Sequence, residues 1–306
     1  MSIMHKFIHL LIIVAGFCFS ACTPDILPDR EAEDPEVEQP VINETNEFVI
    51  LFTNDFHSQI EPISKDETYN ADMGGIKRMK VLVDSVRKAE PHVILADAGD
   101  MVQGTYYFSL LNGVVEMMVM DELGYDVRTI GNHEFDKKMV GLGDMLALSK
   151  VPVVSTNYDF SNTAIASNIQ RSTIVERGGL KIGFIGMGVM LKNLVDPTAC
   201  EGVIWQNAIN VADDEAKRLR EQGADMVIAL SHLGYEKNSD LYYYDRGIAM
   251  KTKHIDMIIG GHSHTFLEEP ACVNGILIAQ AGTGTDQIGR FDLEINTDSN
   301  SVQRFS

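Results

Sequence analysis

The chain has 306 residues, of which 45% are hydrophobic and 23% are charged. This composition is that of a folded globular protein with a sizeable core, and it excludes disorder, collagen and a coiled coil as descriptions of the whole chain. The formal net charge of −19 argues against nucleic-acid polymers as partners, because a surface of this sign repels a polyanion.

Residues 1–21 have the pattern of a bacterial lipoprotein signal peptide. A short charged start precedes an apolar run over residues 10–19, which is shorter than the roughly 20 residues that a helix needs to span a bilayer. Two small residues then precede Cys22, as in a lipobox, although Phe19 stands where leucine is usual. We therefore expect Cys22 to be lipidated and to anchor the protein in the bacterial cell envelope, on the periplasmic or cell-surface face. The alternative is an ordinary signal peptide with an incidental cysteine.

The next segment is acidic and contains several prolines. Residues 23–47 contain nine acidic side chains, one basic side chain and four prolines, and no helical or alternating apolar period runs through them. The like charges of such a segment repel one another, which keeps the chain extended and exposed to solvent. We expect residues 22–46 to form a tether, followed by one domain over residues 47–306.

Beyond the tether, short apolar runs rich in valine and isoleucine alternate with helical patterns. Such runs are typical of strands buried on both faces, and strands separated by helices predict an α/β sandwich. The predicted strands cover residues 48–52, 93–96, 127–130, 151–154, 182–185, 226–230, 257–259, 276–279 and 291–295.

Three helices are predicted between these strands. Apolar residues at 76, 79, 83 and 86 recur with helical spacing, and residues 207–222 form a second amphipathic segment. The segment Tyr107–Leu123 is almost wholly apolar and rich in methionine, which predicts a buried core helix. Cys200 and Cys272 could pair in an oxidising envelope or remain free thiols.

Polar residues with ligand chemistry follow five of the predicted strands. In open α/β sheets, ligand sites lie outside the carboxyl ends of the strands. Unpartnered polar groups are costly in a packed core, so such a concentration of them indicates a ligand. The five segments are Thr53–His57, Asp97–Gly104, Gly131–Asp136, Ser231–Gly234 and Gly260–His264.

Taken singly, most of these motifs are weak. Asp55-x-His57 is more typical of a surface turn, and His232 alone would more often be a satisfied core or turn histidine. His262-x-His264 is equally consistent with a pair of metal ligands and with an ordinary loop. Together, the five segments place two or three carboxylates, an amide and up to five imidazoles along one edge of the fold.

In this order the segments resemble the calcineurin-like metallophosphoesterase superfamily, whose pattern is D-x-H, G-D, G-N-H-[ED], a lone His and G-H-x-H. The longer motifs T-N-D-x-H, G-N-H-E-F-D and G-G-H-S-H-T narrow the resemblance to the amino-terminal domain of the 5′-nucleotidase family. The resemblance covers about residues 47–297. It implies a single-domain α/β fold, a four-layer αββα sandwich.

The resemblance also implies two divalent metal ions as cofactors. Mn, Zn, Fe or Co suits a mixed set of carboxylate, imidazole and amide ligands. Two such ions clamp a phosphate and lower the pKa of a bound water. By resemblance, Asp55, His57 and His264 hold one ion, Asn132, His232 and His262 hold the other, and Asp100 bridges both.

The resemblance assigns catalysis to His133, which would be protonated and would stabilise the transition state or the leaving oxygen. Asp136, three residues further on, would hold that proton in place. The alternative for Asp136 is an N-terminal helix cap. Asn132 and Gln103 are implied to contact the substrate together with His133, although Gln103 could simply be a turn residue.

Complete 5′-nucleotidases carry a second, carboxy-terminal domain that supplies an aromatic clamp for the base and arginines for the phosphate. The present chain ends at Ser306. We therefore expect either a separate polypeptide that provides substrate specificity or a broader range of phosphate esters as substrates.

The leading hypothesis is a lipid-anchored, metal-dependent phosphomonoesterase that acts on nucleotides in phosphate or nucleoside salvage. A second hypothesis is an enzyme with the same two metals that cleaves a phosphodiester bond instead of a monoester. Its substrates would be 2′,3′-cyclic nucleotides or nucleotide sugars. A third is a lipoprotein that binds a partner without catalysis. The presence of suitable side chains at all seven ligand positions argues against the third.

Overall fold

The computed structural model describes residues 45–236, 243–296 and 301–305. The predicted signal peptide, the lipidation site Cys22 and the tether up to residue 44 lie outside the described residues. The first strand begins at Thr45, two residues before the predicted start of the domain. In the described ranges, every helix is too short or too polar to cross a membrane.

Strands and helices alternate along the chain, as predicted. The helices are α1 (Ile76–Ala89), α2 (Tyr106–Leu111), α3 (Val114–Leu123), α4 (Lys138–Leu148), α5 (Ala208–Glu221) and α6 (Asp245–Lys251). The strands are β1 (Thr45–Thr53), β2 (Val93–Asp97), β3 (Val127–Arg128), β4 (Tyr158–Asp159), β5 (Ser172–Arg177), β6 (Leu180–Gly188), β7 (Ile204–Trp205), β8 (Met226–His232), β9 (Met257–Gly260), β10 (Ala271–Val273), β11 (Ile276–Ala279), β12 (Gly289–Asn296) and β13 (Ser301–Phe305).

Two large sheets contain most of the strands. The first has the order β13-β12-β1-β2-β3, in which β1, β2 and β3 are parallel and β12 and β13 are added antiparallel. The second has the order β10-β11-β9-β8-β6-β5, in which the four inner strands are parallel and the two edge strands antiparallel. β4 and β7 form a separate two-stranded ribbon.

The two sheets pack face to face, and helices cover both outer faces. Between the sheets, Ile50 and Ile94 of the first contact a common core with Phe184 and Leu230 of the second. On the other face of β1, alternate residues such as Leu51 pack with α1, α3 and α4. The outer face of the second sheet packs with α5 and α6. The molecule is therefore a four-layer αββα sandwich, which confirms the predicted fold class.

Each layer follows from the residue pattern. Strands β2, β8 and β9 are buried along their whole length, as expected for strands covered on both faces. α1 buries Met79 and Val83, and α5 begins after Asn207, whose side chain accepts from the backbone N–H groups of Ile209 and Asn210. Both amphipathic helices were predicted within a few residues of their observed ends.

The prediction of one buried helix over Tyr107–Leu123 is wrong. The chain forms two helices here, because Asn112 and Gly113 adopt left-handed backbone angles with φ of 51° and 89° and end α2. One face is buried, whereas Leu110 and Met118 are 74% and 66% exposed.

The strands differ from prediction in two further ways. Residues 151–154 form only isolated bridges, at Val153 and Val154, instead of a continuous strand. β4, β5, β7, β10 and β13 were not predicted, because they are short, partly exposed or polar. Cys200 and Cys272 are both free thiols and do not form a disulfide with each other.

Candidate metal centre

The five predicted segments meet where strands of both sheets end. Asp55 follows β1, Asp100 follows β2 and His262 follows β9. The segments also bond across the gap between the sheets. The backbone N–H of His262 donates to both carboxylate oxygens of Asp55, at 3.0 and 2.9 Å, and His232 Nδ1 lies 2.8 Å from the carbonyl oxygen of Ala98. The site is therefore built by the two sheets jointly.

The backbone at this site is strained. Left-handed φ angles cost non-glycine residues roughly 1–3 kcal/mol each and are concentrated at functional sites. Five of the seven predicted metal ligands have such angles, namely Asp55 (50°), His57 (51°), Asp100 (55°), His262 (73°) and His264 (52°).

Asp55, His57 and His264, which we call cluster 1, bring one carboxylate and two imidazoles together. One ligand atom of each lies within 4.8 Å of the others. Asp55 Oδ1 is 3.4 Å from His264 Nε2 and 3.8 Å from His57 Nε2, and the two ring nitrogens are 2.9 Å apart. Three potential ligand atoms therefore lie close enough together to hold one metal ion.

Asp100, His232 and His262 form cluster 2, which meets the same criterion. His232 is fully buried, and its Nε2 lies 2.9 Å from Asp100 Oδ2 without a partner in hydrogen-bonding geometry among the described residues. Because a carbonyl oxygen only accepts, Nδ1 donates to Ala98. The remaining ring nitrogen thus faces the carboxylate.

The two clusters are contiguous and contain two buried carboxylates, Asp55 and Asp100. Asp55 Oδ1 is 3.8 Å from the Nε2 atoms of both His57 and His232. Burial lowers the pKa of His232, but the carboxylates of Asp100 and Asp55 outweigh it and raise that pKa to about 10. The site therefore attracts positive charge, which a proton or a divalent cation can supply.

Asn132 completes the predicted set. Its Oδ1 is buried and has no hydrogen-bond partner in the described part of the chain, which is costly unless a ligand supplies one. Together with the carboxylates and imidazoles, this amide oxygen gives a donor set suited to borderline divalent ions such as Mn, Zn, Fe or Co. The residues present fit the two implied metal ions.

His133 and Asp136 form the predicted pair beside the clusters. His133 Nδ1 is 2.9 Å from Asp136 Oδ2, and this hydrogen bond is the main cause that raises the pKa of His133. The helix-cap alternative for Asp136 is wrong, because Lys137 occupies the N-cap position of α4 and no side chain caps it. The His133 ring lies 5.4 Å from that of His57, so the pair borders cluster 1.

Gln103 lies in the loop between β2 and α2, half-buried, with φ of 80°. It lies three residues after Asp100 of cluster 2. Its substrate contact stays a prediction.

Glu134 is a residue whose role was not predicted. Its buried carboxylate accepts backbone N–H bonds from Asp100 at 3.2 Å, Met101 at 2.9 Å and Gly131 at 2.7 Å. It therefore ties the loop after β2 to the loop after β3. Gly131 allows this approach, because a Cβ there would lie 2.2 Å from Asp100 Oδ1. The only sequence feature that could have indicated this role is the position of Glu134 directly after Asn132-His133 in the G-N-H-E motif.

Gln280 was also missed. It is buried directly after β11, where its Nε2 donates to the carbonyl oxygen of Gly261 at 2.7 Å. Its Oε1 accepts from Ser263 Oγ at 2.9 Å and from the backbone N–H of Thr265. One amide thus fixes the loop that carries His262 and His264. No motif predicted this, since the partners are mostly backbone atoms.

Comparison with known proteins gives consistent matches. The family model described as calcineurin-like phosphoesterase matches residues 48–266. The 5′-nucleotidase of Bos taurus is 35% identical over 230 residues, which cover 72% of this chain and 38% of the relative. The apyrase of Tabanus yao is 33% identical over 251 residues, covering 79% of this chain and 43% of the relative.

Two solved structures share the fold and some sequence. The 5′-nucleotidase precursor from Thermus thermophilus has a TM-score of 0.76 and 26% identity, covering 85% of this chain and 53% of that one. The NAD nucleotidase of Haemophilus influenzae has a TM-score of 0.73 and 27% identity, covering 86% and 50%. The chain spans about two fifths of the length of the curated relatives it matches.

Proposed function

Because the chain belongs to the calcineurin-like phosphoesterase family, we propose that it is a metal-dependent phosphoesterase that hydrolyses nucleotides in the manner of a 5′-nucleotidase. The observation that carries this proposal is the meeting of clusters 1 and 2 beside the His133–Asp136 pair. A structural role alone gives no reason to gather the four imidazoles and two carboxylates of the clusters, five of these six residues having left-handed backbone angles.

The side chains divide into two ligand sets and a bridging group. In this proposal Asp55, His57 and His264 would hold one ion, Asn132, His232 and His262 would hold the other, and Asp100 would be shared by both. When bound, two divalent ions supply Lewis-acid activation of the phosphate ester and of the attacking water. The chain's own task is to hold these donors in place, which Glu134 and Gln280 do through backbone hydrogen bonds.

His133 supplies a proton to the reacting phosphate. The hydrogen bond from its Nδ1 to Asp136 orients the ring and favours the charged imidazolium, leaving Nε2–H free to donate to a phosphate or leaving-group oxygen. Asn132 and Gln103 contribute amide contacts to the substrate. This arrangement stabilises negative charge as it develops in the transition state.

The names of the relatives support a nucleotide as substrate. They are a 5′-nucleotidase, an apyrase and an NAD nucleotidase. We propose that the phosphate of a small nucleotide reaches the ions and that its nucleoside is the leaving group.

We also propose that Cys22 is lipidated and anchors the enzyme in the bacterial cell envelope. The support is the sequence pattern around residues 10–22. Mass spectrometry of the amino-terminal peptide of the membrane fraction tests it: a diacylated Cys22 is expected, and an unmodified peptide that begins elsewhere would contradict the anchor.

A substrate panel tests the enzymatic proposal. The full chain is loaded with Mn or Zn and assayed for phosphate release from AMP and, by chromatography, for the monoester products of 2′,3′-cyclic AMP, a nucleotide sugar and NAD, with and without any co-purified polypeptide. Metal-dependent release from AMP is expected. Cleavage of the cyclic or diphosphate substrates alone would replace the monoesterase with a phosphodiesterase, and no turnover of any substrate would reject the proposal.

A further inference from the structure

A cleft with a volume of about 560 Å³ lies beside cluster 1. Its wall begins at Ser58, the residue directly after the predicted ligand His57, and ends at Tyr69, Tyr106 and Tyr107. The volume is in the range of small-molecule sites, which are concave, mostly apolar and furnished with a few polar groups.

The inner end of the cleft is attached to the metal-ligand loops. Thr105 Oγ1 donates to the carbonyl oxygen of Ser58 at 2.9 Å, and a Cβ on Gly104 would lie 2.9 Å from the carbonyl oxygen of His57. The loop after β2 therefore packs directly on the loop after β1. A molecule whose phosphate reaches cluster 1 has the cleft next to it.

Ser58 gives an independent sign of a ligand. It is fully buried, and its Oγ has no hydrogen-bond partner among the described residues. A buried hydroxyl without a partner costs free energy unless a bound group or water satisfies it.

The outer end of the cleft presents aromatic rings to solvent. Tyr69 and Tyr106 are 76% and 83% exposed, which leaves their faces open for stacking, whereas the Tyr107 hydroxyl donates to Glu61 Oε1 at 2.9 Å. Aromatic faces on a protein surface stack well with nucleobases, whatever the base.

The charge of the cleft favours the nucleobase end of a nucleotide over its phosphate end. Glu61 and Glu67 line it, and none of its lining residues is basic. Two carboxylates repel a phosphate but accept hydrogen bonds from an amino group on a base. The neutral, aromatic end of the substrate fits here, and the phosphate fits the cations of the metal centre.

We propose that this cleft is the nucleoside site of the enzyme. The nucleobase stacks on Tyr106 and Tyr69, its amino group donates to Glu61 or Glu67, and the phosphate extends toward cluster 1. The inference rests on the proposed hydrolysis of nucleotides. It adds that the domain selects an amino-bearing nucleobase with its own residues.

A second cleft of about 550 Å³ lies elsewhere on the domain, lined by Phe266 and Arg290. Its cation is already engaged, because Arg290 bonds Asp292 and Glu90, and the backbone N–H of Thr265, next to Phe266, bonds Gln280. It supplies a matched comparison, since Phe266 is an exposed aromatic residue two positions after His264.

The test compares AMP with ribose 5-phosphate, which has the same ester but no base. The metal-loaded full chain should have a lower KM for AMP. Tyr106→Ala should raise the ratio of the AMP KM to the ribose 5-phosphate KM by about 10-fold or more, as expected for loss of a stacking ring, with little change in the AMP kcat. Tyr106→Phe should keep the wild-type ratio, since it keeps the ring.

Two variants serve as controls. Leu110→Ala removes an exposed side chain from the next turn of α2, outside the cleft lining, and should leave the KM ratio unchanged, as should Phe266→Ala. An unchanged ratio in Tyr106→Ala, or a change in Phe266→Ala instead, would overturn the inference while the hydrolysis itself stands. If wild type hydrolyses neither substrate, the proposed function fails first.

Discussion

The side chains around clusters 1 and 2 fall into those that would bind an ion and those that hold the ligands still. All six cluster residues were predicted from motifs, because metal ligands are recognisable by chemistry and order. Glu134 and Gln280 were not predicted, because their partners are mostly backbone groups whose positions depend on the folded loops. The sequence therefore predicted the candidate metal ligands but not the residues that hold the ligand loops in place.

Replacing Asp100 and replacing His133 should have different consequences. Asp100→Asn removes a charge from cluster 2 and should lower metal content and abolish phosphate release. His133→Asn leaves both clusters intact, so it should keep the metal content and lower kcat by about 10²–10⁴-fold, the usual contribution of a general acid. Elemental analysis and steady-state kinetics check both. Loss of metal from His133→Asn would show that the roles are divided wrongly.

Gln280→Ala should loosen the loop that carries His262 and His264. Supporting hydrogen bonds around metal ligands typically contribute about 10–100-fold in affinity, so Mn affinity measured by calorimetry should fall by that factor while circular dichroism stays unchanged. Gln222→Ala, at an exposed position after α5, is the control. Equal Mn affinity in wild type and Gln280→Ala would remove Gln280 from the positioning role.

Elements with a strong period were predicted well, and those with interrupted or polar patterns were not. α5 was predicted because its amphipathic pattern runs without interruption over residues 207–222, close to its observed ends. The split between α2 and α3 was missed because apolar content hid the Asn112-Gly113 turn. β5 is an edge strand of its sheet and is only partly buried, which leaves little apolar signal in its sequence.

The contact between α5 and the start of β5 should make stability depend on pH. Glu215 on α5 accepts from Arg171 Nε at 2.9 Å and from Ser172 Oγ at 2.5 Å. Burial raises its pKa, but hydrogen bonds from Arg218, Ser172 and Arg171 outweigh burial and lower the pKa below the ordinary value of 4.5. The stabilisation is therefore present above pH 4.5 and is lost as the pH falls through the lower folded-state pKa.

Glu215→Gln measures this contribution. At pH 7 it should lower the free energy of unfolding by about 1–2 kcal/mol, a modest value because both arginines are about half exposed. In urea titrations the difference from wild type should shrink as the pH falls below the ordinary glutamate pKa of 4.5 and through the lower folded-state pKa. Glu221→Gln, on the same helix but exposed, should show almost no difference at either pH. A Glu215→Gln difference that is the same at neutral and acidic pH would contradict the pKa assignment.

For the molecule as a whole, the core between the two sheets keeps the halves of the metal centre together. Cluster 1 joins ligands that follow β1 and β9, and cluster 2 joins ligands that follow β2 with others at the ends of β8 and β9. Leu230 lies in that core with 0% exposure. A loss of packing in this core should therefore lower the stability of the fold and disturb the geometry of the metal centre.

Leu230→Ala should lower the free energy of unfolding by about 2–5 kcal/mol, as expected for a cavity in a close-packed core. Met118→Ala, which removes a side chain that is 66% exposed, should change it by less than about 0.5 kcal/mol. Urea denaturation of the two variants checks the comparison. Similar losses in both would mean that the outer helical face is covered in solution.

The pairing of metal ions with the two clusters can be seen directly by anomalous diffraction from crystals of the full chain grown with Mn. Two anomalous peaks a few ångströms apart are expected, one contacted by Asp55, His57 and His264 and the other by Asn132, His232 and His262, with Asp100 contacting both. A Mn-saturated crystal with no peak at these residues, or with its peaks elsewhere on the molecule, would contradict the account.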